Sequence, residues 1–544
     1  MQEHPRRFEL LCLPILLLTL SSTLCADPPS VTYFYPSGAQ RGKTVEVTAS
    51  GTFPNWPLQV QVTTSGLQFE AAKDKGKFKA VIDAEAQVGV HFIRLYDAAG
   101  ASSLHPFFVS DLPEIVEAEP NDQPSAPQVV DNRIIINGKL AKGGDVDGYR
   151  ISLKSGQTVV ASMMANRTLK SPMDSVLQVC DAAGFVIDQN DDELGFDPQL
   201  VFTAPRDGDY LFRTFAFPAT PNSTIGFAGA DNYVYRLTLT TGPYLDHTLP
   251  LAVHRDTPTK LQLVGWNLSP DQTSQTVEPP GEPPQLTIAQ PQTANPLSLP
   301  VTPHAIIAST APTDPNTPTE VPIPSVITGN IAAPRQVHVY QFHAAKDAAL
   351  LFRVEGRQLG YRIDPWLGVK DVAGKLLKEV DDAKDRGADI ELSWKAPAEG
   401  DYQLHIRDLH GHGGARYVYR LTVTEPQPDF QLSFTADTGI VAPDKPLEVT
   451  VNIARQGGLN DPIEIGLAEL PDGVQCQPVT SAAKGDSAKS VKLKITTDGT
   501  KAFQGSLQIV GKSQADPPTE RTAHFAVGDG VLIRDFWLTA LPKP

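Results

Sequence analysis

Every second residue is apolar in runs spread along the whole chain: Val45, Val47 and Ala49; Tyr149, Ile151 and Leu153; Tyr235, Leu237 and Leu239; Val449, Val451 and Ile453. Side chains two apart share one face of an extended chain, so each run predicts a half-buried strand of an antiparallel sheet. Helical spacing is nearly absent. Turn-forming Gly, Pro, Asp and Asn separate the runs, and 48 Pro and 41 Gly against 7 % aromatic residues predict many short strands. The expected fold is all-β, a series of antiparallel β-sandwich domains.

The pattern occurs twice in detail. Asp174-Ser-Val-Leu-Gln-Val-Cys-Asp181-Ala-Ala-Gly184 matches Asp364-Pro-Trp-Leu-Gly-Val-Lys-Asp371-Val-Ala-Gly374. Asp191-Asp192 matches Asp381-Asp382, and Gly208-Asp209-Tyr210 matches Gly400-Asp401-Tyr402. The copies close on Tyr233-Val-Tyr-Arg-Leu-Thr238 and Tyr417-Val-Tyr-Arg-Leu-Thr422. Spacing that drifts by only a few residues predicts two copies of one fold. A weaker echo joins Arg41–Val47 with Gly51 to Lys260–Leu263 with Gly265, which predicts a small sandwich before each copy.

Arg6 and Arg7, the apolar run Leu10 to Leu20 and the ending Leu24-Cys25-Ala26 have the layout of a secretory signal peptide, residues 1–26. A lipoprotein anchor at Cys25 is the rival, with bulky Leu24 against it. The run is too short to span a bilayer, and no transmembrane segment is expected. The expected location is therefore exported, periplasmic or extracellular. A net charge of -16 opposes nucleic-acid binding, which needs basic stripes. Only Cys180 and Cys476 remain after processing, in what read as separate domains, so no disulfide framework is expected.

Candidate chemistry is concentrated in Glu117-Ala-Glu119-Pro-Asn121-Asp122 and, about 23 residues on, Asp145-Val-Asp147-Gly-Tyr149. These are hard oxygen donors without His or Cys. They suit Ca²⁺, which takes six to eight oxygens, and suit zinc or copper poorly. On an extended segment Glu117, Glu119 and Asn121 share a face. Asp145 and Asp147 continue the apolar parity of Tyr149, Ile151 and Leu153, and two carboxylates entering a core repel unless a cation neutralises them. The alternative is an acidic linker followed by a solvated turn at Gly143-Gly144-Asp145.

These motifs resemble the bacterial pre-peptidase C-terminal domain, with a jelly-roll-type sandwich implied. In that family the acidic lead and the Asp-x-Asp strand hold calcium. The resemblance therefore implies Ca²⁺ at Glu117, Glu119, Asn121, Asp122, Asp145 and Asp147 in the first repeat alone. In the second repeat Pro322-Ile323-Pro324 is read in place of the lead, and Gln336 and His338 replace the aspartates. Val31 to Phe53 resembles an IPT/TIG immunoglobulin-like domain. The expected organisation is an IPT/TIG-like sandwich over 27–112 and the repeats over 113–242 and 321–425. A small β-domain or Pro/Thr-rich linker at 243–320 separates them. An immunoglobulin-like sandwich over 426–530 and a tail over 531–544 follow.

Other candidates favour bland readings. His405, His410 and His412 lack further ligands at zinc spacing. Gly485-Asp486-Ser487 has no partner motif, and Asn190-Asp-Asp-Glu193 reads as a capped turn. No catalytic motif is present, so the expected function is a non-catalytic, calcium-stabilised binding or scaffold protein. Its partner would be an extracellular or envelope protein or polysaccharide. The alternative is an accessory chain of a secreted peptidase, or a secreted hydrolase itself, which rests on the domain family's company alone.

Overall fold

Among the described residues strands take up 55 % and helix 3 %, as the period-two patterning predicts. The computed structural model describes residues 27–543 apart from 221–222, 224–225, 282–284, 310–316, 382–388 and 529–530. The expected signal peptide lies outside the described residues.

The two repeats have the same strand order. In the first, one sheet runs Glu114–Val116, Arg133–Lys139, Val234–Thr240, Thr158–Met164, Gln199–Thr203. The facing sheet runs Gln128–Val129, Asp147–Leu153, Gly208–Pro218, Met173–Cys180, Val186–Asn190. The second repeat follows the same path from Ala305–Ser309 and Thr319–Glu320 onward. Tyr149, Ile151, Leu153, Leu237 and Leu239 meet between the first pair of sheets, and Tyr340, Phe342, Leu421 and Val423 between the second. The alternation is thus the record of one buried face per strand.

Of the two alternatives for 243–320 the small β-domain is found: Ser274–Val277, Gln285–Ile288 and Leu297–Thr302 are strands of two three-stranded sheets around Leu261, Leu263, Ile288 and Leu299. Two differences from the sequence expectation have physical reasons. The second repeat begins before residue 321, because its two edge strands pair in parallel and are too short to show alternation. Residues 531–544 are not a tail: Asp535–Ala540 lies between Thr438–Val441 and Phe503–Ser513. Phe536 and Leu538 fill the last sandwich's core, while Trp537 packs at a tilt against Tyr96 of the first sandwich with ring centroids 4.8 Å apart. A strand buried on both faces shows no alternation to read.

The sandwich echo is structural. Gly51 and Gly265 both stand opposite a bulge, where an added Cβ would lie 2.0 Å from the carbonyl oxygens of Ser30 and Tyr244. Each small sandwich also meets its repeat through a matched hydrogen bond. The Ser37 N–H donates to Asn137 Oδ1 (3.1 Å) and the Leu251 N–H to Thr328 Oγ1 (2.8 Å). The repeating unit is therefore sandwich plus repeat, joined the same way twice. Cys180 and Cys476 lie in different sandwiches as free thiols.

Candidate metal centre

Asp147 opens the strand Asp147–Leu153 on the parity of Tyr149 and Ile151, so its carboxylate enters the end of the sandwich and is fully buried. Asp145 sits two residues earlier in the preceding turn, where its Oδ2 accepts the Ala141 N–H at 2.6 Å. After Val116 the chain leaves one sheet and crosses to the other, reaching it at Gln128–Val129. This crossing passes directly over Asp145 and Asp147. Gly148 permits it, since a Cβ there would lie 3.0 Å from the Asn121 carbonyl oxygen.

Carboxylate oxygens of Glu119, Asp122, Asp145 and Asp147 come within 4.8 Å of one another. Asn121 is 1 % exposed between them. Asp122 Oδ1, Asp145 Oδ1, Asp147 Oδ1 and both polar atoms of the Asn121 amide are buried without a protein partner. An unsatisfied buried acceptor costs about 1–3 kcal/mol, a cost that a cation held by this group would offset. The opposing cross-strand residue, Thr214, adds a further partnerless hydroxyl.

Electrostatics agree. Burial, then the neighbouring Glu117, raises Asp147 well above the usual carboxylate range. Burial pushes Glu117 up to about 7 even though the Lys139 N–H and the Tyr35 hydroxyl donate to it. Burial raises Glu119, with Asp145 and Asp122 adding repulsion. Lys142 Nζ stands 3.8 Å from Asp122, and Asp147 Oδ2 accepts from Tyr235, whose hydroxyl contacts that of Tyr149 at 2.5 Å. The group can hold a metal ion, and hard oxygens are its donors.

Of the six residues expected, Glu119, Asp122, Asp145 and Asp147 converge and Asn121 is buried with its amide partnerless, while Glu117 is not among the converging acids. It faces Tyr35, Lys139 and Asp147 rather than sharing a face with Glu119. The parity argument fails there because the strand ends at Val116, and the lead is an irregular crossing. For Asp147 the parity argument holds. The expectation missed Tyr235 and Thr214, although the recurrence of Tyr235 as Tyr419 was the available signal.

The second repeat answers the same geometry differently. His338 occupies the place of Asp147, and its Nδ1 pairs with the Tyr419 hydroxyl (2.7 Å), which contacts Tyr340 in turn. Ile406 stands where Thr214 does, and Gln336 binds the Ala333 N–H as Asp145 binds Ala141. Burial lowers His338 to about 4, so the imidazole is neutral. The equivalent of the acidic lead is corrected as well. Pairing of 305–309 with 325–329 places it after Ser309, not at Pro322-Ile323-Pro324. Residues 310–316 of it lie outside the described residues.

No family model and no curated protein matches the chain. Among solved structures it is similar to the pre-peptidase C-terminal domain of a Bacillus anthracis collagenase at 18 % identity. That match covers 21 % of this chain and all of that one, with a TM-score of 0.17. A Bacteroides ovatus protein, SGBP-B of a mixed-linkage glucan utilization locus in complex with a heptasaccharide, is 13 % identical. It covers 73 % of this chain and 74 % of its own, at a TM-score of 0.15. The M60 catalytic domain of Clostridium perfringens ZmpB with its two CBM51 domains is 9 % identical over 71 % of this chain and 54 % of that one, at 0.15. Among the described residues no helix is long and apolar enough to cross a membrane.

Proposed function

We propose that this is an exported, non-catalytic, multidomain binding or scaffold protein whose first repeat is stabilised by Ca²⁺. The observation carrying the metal reading is the convergence of carboxylate oxygens from Glu119, Asp122, Asp145 and Asp147, together with buried partnerless oxygens on Asn121, Asp122, Asp145 and Asp147. Calcium suits an all-oxygen set of carboxylates and an amide drawn from irregular backbone. Export rests on the N-terminal layout, and the non-catalytic reading on the sequence's lack of a nucleophile or base motif.

Melting of the full chain in millimolar Ca²⁺ and in chelator tests the metal. Binding to the folded form alone adds about 3–4 kcal/mol at 100 to 1,000 times Kd. An identical melting profile in both would remove the metal from the account. Retention on immobilised collagen, peptidoglycan or polysaccharide tests the binding role. Active-site-dependent labelling by serine or metalloprotease probes would replace that role with a hydrolase.

A further inference from the structure

The two repeats and the middle sandwich meet around three adjoining cavities of about 740, 440 and 470 Å³. They form one groove, since Arg167 and Tyr361 line the first and second, and Glu193 and Tyr417 the first and third. Each has the size of a small-ligand site, and such sites favour domain junctions.

The strongest charges inside it are already answered. Glu193, 6 % exposed, accepts from Arg362 (Nε, 3.0 Å) and from Arg416, which also reaches Asp246 Oδ1 at 2.8 Å. His410 Nε2 stands 3.2 Å from Asp364 Oδ2, and Asp408 accepts the backbone N–H groups of His410 and His412. Asp364 Oδ1 is buried without a partner, and the lining carries exposed groups of both signs, Asp191 and Asp192 with Arg357. A mouth of mixed charge selects neither an anion nor a cation. A buried acceptor asks for a hydroxyl or N–H donor. The first cavity has one aliphatic lining side chain, Leu194, whereas Leu245, Leu251, Leu297, Leu299 and Leu359 line the second, so the first is the polar part of the groove. Half-buried Tyr417, Tyr361 and Trp266 line the groove together with carboxylates and guanidinium groups, so the lining divides between aromatic rings and planar polar groups. A sugar ring has that same division, with C–H faces that stack on aromatics and hydroxyl edges that both donate and accept.

We infer that this groove binds a neutral oligosaccharide, with a sugar hydroxyl donating to Asp364 Oδ1 and sugar rings lying on Tyr417 and Trp266. This rests on the binding-protein reading and gives it a site and a ligand class. Calorimetric titration of the full chain with cellohexaose, laminarihexaose and maltohexaose, followed also by tryptophan fluorescence, tests it. At least one is expected to bind, and Asp364→Asn and Tyr417→Ala are each expected to weaken it tenfold or more. Tyr417 packs against the second repeat's core, so the near-isosteric Asp364→Asn carries the test if the Tyr417 variant unfolds. Hexasaccharide binding unchanged by Asp364→Asn would move the site elsewhere and leave the binding role intact. Binding of spermine in place of every sugar would make the groove a cation site and overturn the inference. Retention on immobilised polymers without hexasaccharide binding would sink the groove alone, and retention on none would sink both readings.

Discussion

Asp147 and His338 occupy one place in two copies of a fold, each bonded to the second tyrosine of a buried pair. The surroundings differ: around Asp147 stand partnerless oxygens, whereas Ile406 replaces Thr214 beside His338. Replacing Asp145 and Asp147 with Asn removes two repelling charges and keeps the side-chain shape. The double variant is expected to lose its calcium-dependent rise in melting temperature, yet be no less stable than wild type in chelator. Greater instability in chelator would show that the carboxylates serve the metal-free fold.

Acid should act on the two copies with opposite sign. His338 titrates near 4 when folded and 6.5 when unfolded, so the unfolded chain takes the proton first. Stability of the second repeat, complete above pH 6.5, is lost as pH falls toward 4, by about 3 kcal/mol in all. In the metal-free first repeat, burial raises Glu117 from 4.5 to about 7, so its stability is complete below 4.5 and lost as pH rises through 7. Hydrogen exchange of the full chain in chelator, corrected for intrinsic rates, should show Asp147–Leu153 better protected at pH 5.5 than at 7.5. His338–Ala344 should be less protected. Equal protection at both pH values in both strands would contradict these charge assignments.

At the scale of elements, two positions separate a strand's pattern from its packing. Gly265 faces the Tyr244 carbonyl across a bulge with no room for a methyl group. Gly265→Ala is expected to destabilise the middle sandwich by about 1–3 kcal/mol, read as earlier cleavage of 243–302 in limited proteolysis; an unchanged digest would mean the bulge relaxes freely. Asp535–Ala540 is an inner strand, hydrogen-bonded on both edges. Ending the chain at residue 534 removes Phe536 and Leu538 from the core. The last sandwich should then be degraded while both repeats survive, and a protected last sandwich would refute its central placement.

Across the whole molecule the first and last sandwiches are joined through Arg94 and Asp437, 2.8 Å apart and 2 % and 1 % exposed. Arg94 also lies over Trp537, 5.6 Å from its centroid, and Asp437 accepts the Leu104 N–H at 2.9 Å. Arg94→Ala leaves a buried carboxylate uncompensated, at a cost of about 3–5 kcal/mol. Small-angle scattering should report a larger radius of gyration as the two ends part. Arg94→Met with Asp437→Leu removes both charges and should restore the wild-type radius. Expansion in the double variant as well would show that hydrogen bonding, not the stranded charge, joins the ends.

Alternation alone determined the all-β class, because one buried face per strand is a local property written at every second residue. It also determined the duplication, since matched cores and turns need matched residues. The acids of the candidate metal centre were legible as a cluster for the same reason, Asp147 most directly because it continues the Tyr149 parity. The tertiary structure decided what depends on chain segments meeting. It left Glu117 out of the converging acids, because an irregular crossing has no period. It made a core strand of Asp535–Ala540, because the first sandwich covers its outer face. It also brought Glu193, Arg362 and Arg416 into one groove, an encounter between residues far apart in the chain that no local pattern encodes.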